Sequence, residues 1–419
     1  MSHHVSWFAG IDLGDHKHHV HLTDAAGAVL GRTSFSHGGR GIAQLLSWLV
    51  DKAGADPGSI GVALEVPHGA VVDGLLDRGF ATFAVNPKQA DRGRELLVLS
   101  GAKDDPRDAE GLSVLLRLVP QVFRHLQPKH PVLVRLRDRS RLRADLVKQR
   151  TRLSQKIRAQ LLRYFPAMWA LAGSLSGLWG GLFLTLWERA PTPERARRLH
   201  RGTVAKVLAR CKIRKRTAEE VVGVLRQPAP VVAPGVTDGA VETVGMLVAQ
   251  LRLVNEQVKA MDRGIAELLE ELPAALGEAD DEADGADSLT LLLSIKGAGP
   301  VVAAGLFGEA GDLLVGGTFQ QTRAYLGAAP VTKKSGGTER RYKRRAVNRH
   351  GQNALYHLAM AAIAADPGFQ RQKDVLKARG HNHARILRTL GDRILRIFFA
   401  MQRDRTLYDP ERTLSKTAA

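Results

Sequence analysis

The sequence predicts a mixed α/β domain followed by a longer helical region, and three observations carry that prediction. The first 125 residues alternate short apolar or period-two runs with one-sided helical segments. A strict heptad seam runs through the middle of the chain. A glycine-rich turn between two apolar helices opens the last part. A length of 419 residues fits two or three domains. With 44% hydrophobic and 25% charged residues the composition is globular, which excludes a disordered or fibrous chain.

Val5 to Leu13 reads as a buried strand, and His18 to Thr23 alternates with period two. After a turn at Ala25-Ala26-Gly27, Val29 to Ser36 is a third strand, so the three form an antiparallel meander. Gly41 to Ala53 places Ile42, Leu45, Leu46, Leu49 and Val50 on one helical face. A strand at Ile60 to Val66, a helix at Ala70 to Arg78 and a strand at Ala81 to Val85 follow. The order β-β-β-α-β-α-β-α is that of a ribonuclease H-like domain, assigned to residues 1–125.

Residues 126–277 read as a basic helical and coiled-coil region. Lys129 to Arg163 holds twelve Lys or Arg against two Asp, with an apolar seam at Leu142, Leu146, Leu153, Ile157 and Leu161. A Gly-rich apolar stretch from Pro166 is assigned no role. Glu194 to Arg216 is basic again, and Pro228 to Pro234 is a linker. Val244, Leu247, Leu251, Val254, Val258, Met261, Ile265, Leu268 and Leu272 step by three and four, the signature of a coiled coil. Its partner is either the Lys129–Arg163 helix or another subunit. Residues 278–288 are an acidic, solvated linker, with six acidic and no basic residues from Glu278 to Asp287. Residues 289–419 form a small helical domain. It begins with a helix-hairpin-helix pattern around Gly297-Ala298-Gly299-Pro300, where Lys296, Gly297 and Gly299 are candidate phosphate contacts.

The net charge is +19, from 61 Lys and Arg against 42 Asp and Glu. A polyanionic partner is implied, with nucleic acid first and a membrane surface second. The single cysteine, Cys211, excludes an intrachain disulfide framework and a Cys-rich zinc module. No signal peptide and no transmembrane run is expected; the nearest apolar stretch, Met168 to Leu186, is broken by glycines. The expected compartment is the cytoplasm.

Two constellations carry candidate chemistry. Asp12 and Glu65 end apolar strand runs, at the rim of the sheet, where a carboxylate must be paired or bind a cation. Asp104, Asp105 and Asp108 follow, and Asp105 and Asp108 share one helical face by spacing. Clustered carboxylates suit Mg²⁺, and two such ions can serve phosphoryl transfer. Asp105 also fits an N-cap before Pro106. The second constellation is Gly327 to Arg349, where Lys333, Lys334, Arg340, Arg341, Lys343, Arg344, Arg345 and Arg349 surround Ser335-Gly336-Gly337. It reads as a basic loop. Ser335 is either a nucleophile activated by positive charge or a hydrogen-bond donor to phosphate, with Tyr342 as a rival nucleophile. The cluster His16, His18, His19 and His21 reads as a solvated strand face rather than a zinc site.

Together these residues resemble the DEDD-type transposases of bacterial insertion sequences, the insertion-sequence one-ten family. GIDLG, LEVPHG, FAVNPKQADRGRE and AKDDPRDA carry the N-terminal likeness over residues 5–125. SIKGAGPVVAAGLFGE, FQQTRAYLGAAPVTKKSGG and RHGQNALYHLAMAA carry the C-terminal one over residues 288–367. Two departures stand out: Asp104 where Thr is usual, and Gly351-Gln352-Asn353-Ala354-Leu355-Tyr356 in a string that usually ends differently. The resemblance implies a RuvC-like domain first and a small helical transposase domain last. It implies metal ligands at Asp12, Glu65, Asp105 and Asp108, binding Mg²⁺ with Mn²⁺ as a substitute, and Ser335 as a nucleophile joined transiently to a DNA 5′ phosphate. It further implies donor and target DNA as substrates and a structured noncoding (bridge) RNA as guide. Ser335 and Asp105 lie far apart in the chain, so the site is composite, completed by folding back or by another subunit, and with the heptad seam a homo-oligomer, dimer or tetramer, is expected.

The expected activity is excision and insertion of the chain's own element. The alternative is a RuvC-like junction resolvase without a covalent intermediate. An actin-like sugar kinase, suggested by GIDLG alone, is opposed by the +19 charge and the lack of a second phosphate loop.

Overall fold

A computed structural model describes residues 5–87, 89–91, 105–278, 286–335 and 338–411, the side chains of Lys333 and Ser335 excepted. It divides into two compact units, Met1–Lys129 and His130–Ala419.

In the first unit, β1 (Trp7–Leu13), β2 (Lys17–Asp24) and β3 (Val29–Ser36) form the expected antiparallel meander. Helix α1 (Gly39–Ala53) leads to β4 (Ile60–Leu64), which lies parallel to β1. Helix α2 (Ala70–Asp77) leads to β5 (Ala81–Ala84), parallel to β4. Helix α3 (Asp105–Leu118) follows, then a two-residue strand that the sequence reading lacked, β6 (Arg124–His125), antiparallel to β5. The sheet order is β3-β2-β1-β4-β5-β6.

Alternation along β1 divides the core. Ala9 and Ile11 join Leu45 and Leu49 of α1 and Leu75 of α2 on one face. Phe8 belongs to the other face, with Ala63 of β4 and Leu112 and Leu116 of α3. Gly10 shares the Phe8 face. A side chain there would collide with the backbone of Ala109 and Ser113, so glycine lets α3 lie directly on the sheet. The same packing overturns the solvated reading for His18 and His21, because β2 is an interior strand, while His16 is exposed and His19 partly so. His18 and His21 are buried, each 2% exposed; His18 Nε2 lies 3.0 Å from His37 Nδ1, and His21 Nδ1 lies 2.8 Å from Ser113 Oγ.

The second unit is helical apart from one hairpin. Helix α4 (Pro131–Tyr164) is followed by α5 (Pro166–Ala172), α6 (Gly181–Arg189), α7 (Pro193–Arg197), α8 (Arg201–Arg210) and α9 (Ala218–Leu225). The Gly-rich stretch now has a role: Met168, Leu171, Leu178, Phe183 and Leu186 fill a core with the long helices. Helix α10 (Val236–Glu270) carries the heptad seam. Every seam position except the partly buried Met261 is buried, and α10 packs against α4 of the same chain. Arg135, Arg139 and Arg143 of α4 pair with Glu271, Glu267 and Asp262, an antiparallel ladder along these two helices. At one end this pair enters the core above; at the other, Leu133, Leu136, Ile265 and Leu268 enter the core of the C-terminal helices.

After the short helix α11 (Leu272–Ala275), helices α12 (Ser288–Ser294) and α13 (Pro300–Val315) flank the predicted glycine-rich turn. Helix α14 (Phe319–Tyr325) leads into β7 (Val331–Ser335) and β8 (Thr338–Tyr342). Helices α15 (Arg349–Ala365), α16 (Pro367–Ala378) and α17 (His383–Asp404) complete the unit. Among the described residues no helix is long and apolar enough to cross a membrane.

Candidate active site

Asp12 stands one residue before the end of β1, opposite His19 of β2, and Glu65 directly follows β4. The last β1–β4 pair in the ladder is Gly10 with Ala63, so Asp12 and Glu65 each lie two residues further along parallel strands. By alternation both positions fall on the α3 face of the sheet. Asp105 and Asp108 occupy the first turn of α3, where the helix dipole favours carboxylates. His19 Nε2 stands 3.9 Å from Asp105 Oδ2, while His21, two residues on, contacts Ser113. Those contacts set the direction of α3, whose N-terminus meets the C-terminal end of β1. The four acids thus share one face and one end of the sheet. Asp104 lies outside the described residues. Among those described, no three of His, Cys, Asp or Glu converge closely enough to hold a metal ion, so the acids as placed are neighbours rather than a ligand set.

Ser335 belongs to the second unit, and the segment around it is a β-hairpin rather than a loop. Val331 pairs with Tyr342, Lys333 with Arg340, Lys334 with Glu339 and Ser335 with Thr338, leaving residues 336–337 as the connection. Ser335 is therefore the last ladder residue before the tip, and Tyr342 is at the base. Four ladder steps separate them, about 13 Å along the strand. Alternation puts positions 331, 333, 335, 338, 340 and 342 on one side and 332, 334, 339 and 341 on the other. All of β8 is exposed, as are Lys334, Lys343, Arg345 and Arg349, while Arg344 is partly covered.

The base of the hairpin is tied to a buried carboxylate that the sequence reading did not single out. Glu309 of α13 is 3% exposed. Arg141 of α4 donates to it twice, Nε to Oε1 at 2.6 Å and a second guanidinium N–H to Oε2 at 2.8 Å. Asn348 Nδ2 donates to Glu309 Oε2 at 2.7 Å and to the Tyr325 hydroxyl at 2.9 Å, and the Asn348 backbone N–H donates to Tyr325 O at 2.9 Å. Asn348 Oδ1 caps α15 by accepting from Gly351 N at 2.9 Å. The chain enters the hairpin segment from Tyr325 and leaves it at Asn348, so the two roots are joined by hydrogen bonds at Asn348, which is held in turn by Glu309. Burial pushes the Glu309 carboxyl up, but the hydrogen bonds from Arg141 and Asn348 and the Arg141 charge outweigh it and hold the group below its usual range. The signal in the sequence is Glu309 inside the apolar run Val301–Ala310, where burial makes a carboxylate costly without a partner.

The remaining candidates separate. Lys296 is exposed, and a side chain at Gly299 would meet open space. Gly297 has φ +95°, and a side chain there would strike the backbone of Ala361 and Ala362 in α15. Its small size therefore serves helix packing. The basic helix α4 is in part committed inside its own unit: besides the pairs to α10 and Glu309, Arg150 stacks on Trp179 with its guanidinium 3.7 Å from the ring centre.

Two family models match this chain. An IS110-type DEDD transposase model covers residues 9–166, and one described as the IS116/IS110/IS902 transposase family covers residues 289–374. The first match holds the four acids and the second holds Ser335. A Sinorhizobium fredii protein described as the transposase y4uE is 46% identical over 50% of this chain; the chain spans 57% of that protein's length. A Streptomyces coelicolor protein described as the mini-circle transposase for IS117 is 29% identical over 97% of this chain and 96% of its own length. An insertion element IS110 protein of 43.6 kDa from the same organism is 28% identical over 97% of this chain and 96% of its own length. With both halves of the family pattern present in order and relatives matched from end to end, the chain belongs to the IS110 family of insertion-element transposases.

Proposed function

We propose that this protein excises and inserts its own element through a transient phosphoserine link. Ser335 Oγ attacks a DNA phosphorus, the bond to the 3′ oxygen breaks, and the serine hydroxyl proton is given up to solvent while the departing 3′ oxygen takes one from it. A 5′-phosphoserine and a free 3′ hydroxyl result; a second 3′ hydroxyl then attacks the phosphoserine and regenerates Ser335. The observation that carries this reading is the position of Ser335 at the tip of a basic hairpin whose two roots join at Asn348, itself hydrogen-bonded to the buried Glu309 carboxylate. The β3-β2-β1-β4-β5 order, with its first three strands antiparallel, supports a ribonuclease H-like first unit.

Asp12, Glu65, Asp105 and Asp108 are the residues we assign to Mg²⁺, which when bound would neutralise charge on the scissile phosphate. As placed they do not form a binding group, so this assignment requires them to close on DNA. The reaction also requires these acids and Ser335 to act on one phosphodiester, within one chain or across two copies. The +19 charge fits a polyanionic partner, and the resemblance to the family is the ground for taking a structured noncoding RNA of the element as a second partner beside DNA.

The test is a denaturing gel of full-length protein with labelled element-junction DNA, Mg²⁺ and that RNA. A covalent band is expected for wild type and absent for Ser335→Ala, with DNA binding retained. Cleavage to free 5′-phosphate ends with no covalent band would instead establish a resolvase.

A further inference from the structure

The side of the hairpin away from position 335 is one wall of a cleft of about 800 Å³. Glu339 and Arg341 of β8 line that wall, and His381, Arg385 and Arg388, at and just before the start of α17, line the opposite one. The floor is electrically closed: Arg323 donates twice to Asp392, at 2.6 and 2.8 Å, so neither charge is available. Arg341 shares an exposed 3.3 Å contact with Glu339. Arg385 and Arg388 differ. They are three residues apart, on one side of α17, and among the described residues neither forms an ion pair. Their field reaches His381, whose imidazole is pushed down by partial burial and then by Arg385, Arg379 and Arg388. Two adjacent uncompensated guanidinium groups, facing a third across an open cleft, are repelled by one another unless an anion enters. Guanidinium forks fit phosphate oxygens. The cleft is too large for one phosphate and runs beside the hairpin that bears the proposed nucleophile, which favours a strand.

We propose that this cleft holds the phosphodiester backbone of the DNA, with Arg385, Arg388 and Arg341 as phosphate contacts. The strand passes on the face of the hairpin opposite Ser335. The inference rests on the transposase reading only in taking DNA as the polyanion.

The test is equilibrium binding of the full chain to a fluorescent element-end duplex, without Mg²⁺, across a salt series. Arg385→Gln with Arg388→Gln should weaken binding about 10–100-fold at low salt. It should also flatten the slope of log K against log salt by about 1.8, the change expected when two phosphates are no longer neutralised. Circular dichroism checks the fold. Glu339→Gln, which releases Arg341, should tighten binding a few-fold and provides an independent reading if the double variant does not fold. An unchanged slope, or a loss confined to RNA of the same sequence, would overturn the proposal. Because no strand is cut in this assay, a chain that shows the slope change but no serine adduct keeps the cleft and loses the recombinase reading.

Discussion

The two regions that carry the candidate chemistry are built in opposite ways. The four acids stand on elements fixed by apolar packing: β1 has a hydrophobic core on each face, and α3 is drawn onto the sheet by the absence of a side chain at Gly10. Ser335 stands on a hairpin whose second strand is exposed along its whole length, and whose direction is set at its roots by the Arg141–Glu309–Asn348 network. Packing positions the first region and a buried ion pair positions the second. The two should therefore fail under different insults.

The largest effect should come from Arg141→Ala, which leaves Glu309 buried without its opposing charge, held by Asn348 alone. About 3 kcal/mol or more of stability should be lost from the helical unit, measured by denaturant unfolding. Hydrogen exchange should locate the loss in α13 to α15 and leave the sheet protected. The converse is Gly10→Val. It forces α3 off β1 and should cost about 1–3 kcal/mol in the sheet unit, with α13 to α15 unaffected. If Arg141→Ala loosened the sheet as much as the hairpin roots, the contrast would be wrong.

Acid should separate the regions further. His18 and His21 are pushed down, His18 by burial and then His37, His21 by burial and then Arg32 with Glu110 opposing. The unfolded chain thus binds protons more readily, and the stability these histidines contribute, complete above their usual value of 6.5, is lost as pH falls below it. Glu309 is also held below its usual value, 4.5, so its contribution is complete above that pH and lost only as pH falls further. Exchange protection should therefore weaken in β2 and α3 before it weakens at the hairpin roots. Glu309→Gln should remove the acid step at the roots alone. A smaller effect is Ser113→Ala, about 1 kcal/mol, from the lost bond to His21. The smallest is Arg143→Ala, under about 1 kcal/mol, since its pair with Asp262 is partly exposed.

The same contrast explains what could be read in advance. The sheet announced itself because Ala9, Ile11, Val62 and Leu64 sit in short apolar runs bounded by turn residues. The heptad of α10 was equally plain, though only the structure gives its partner as α4 of the same chain. The hairpin was hidden because VTKKS and TERRY carry charge on both sides, so neither strand has an apolar face to betray its period. The buried histidines were misread for a related reason: polar residues on a strand suggest a solvated face until neighbouring strands and helices cover them. The acids were legible as a set in order along the chain. Their common sheet end follows from parallel register and from the direction of α3, neither of which spacing alone supplies.

The covalent chemistry is proposed to lie at the hairpin tip. Its most direct test is to form the protein–DNA adduct with the wild-type chain, digest both polymers, and locate the residual nucleotide by mass spectrometry. A single modified residue, Ser335, is expected. A nucleotide on Tyr342, about 13 Å away at the hairpin base, would contradict it.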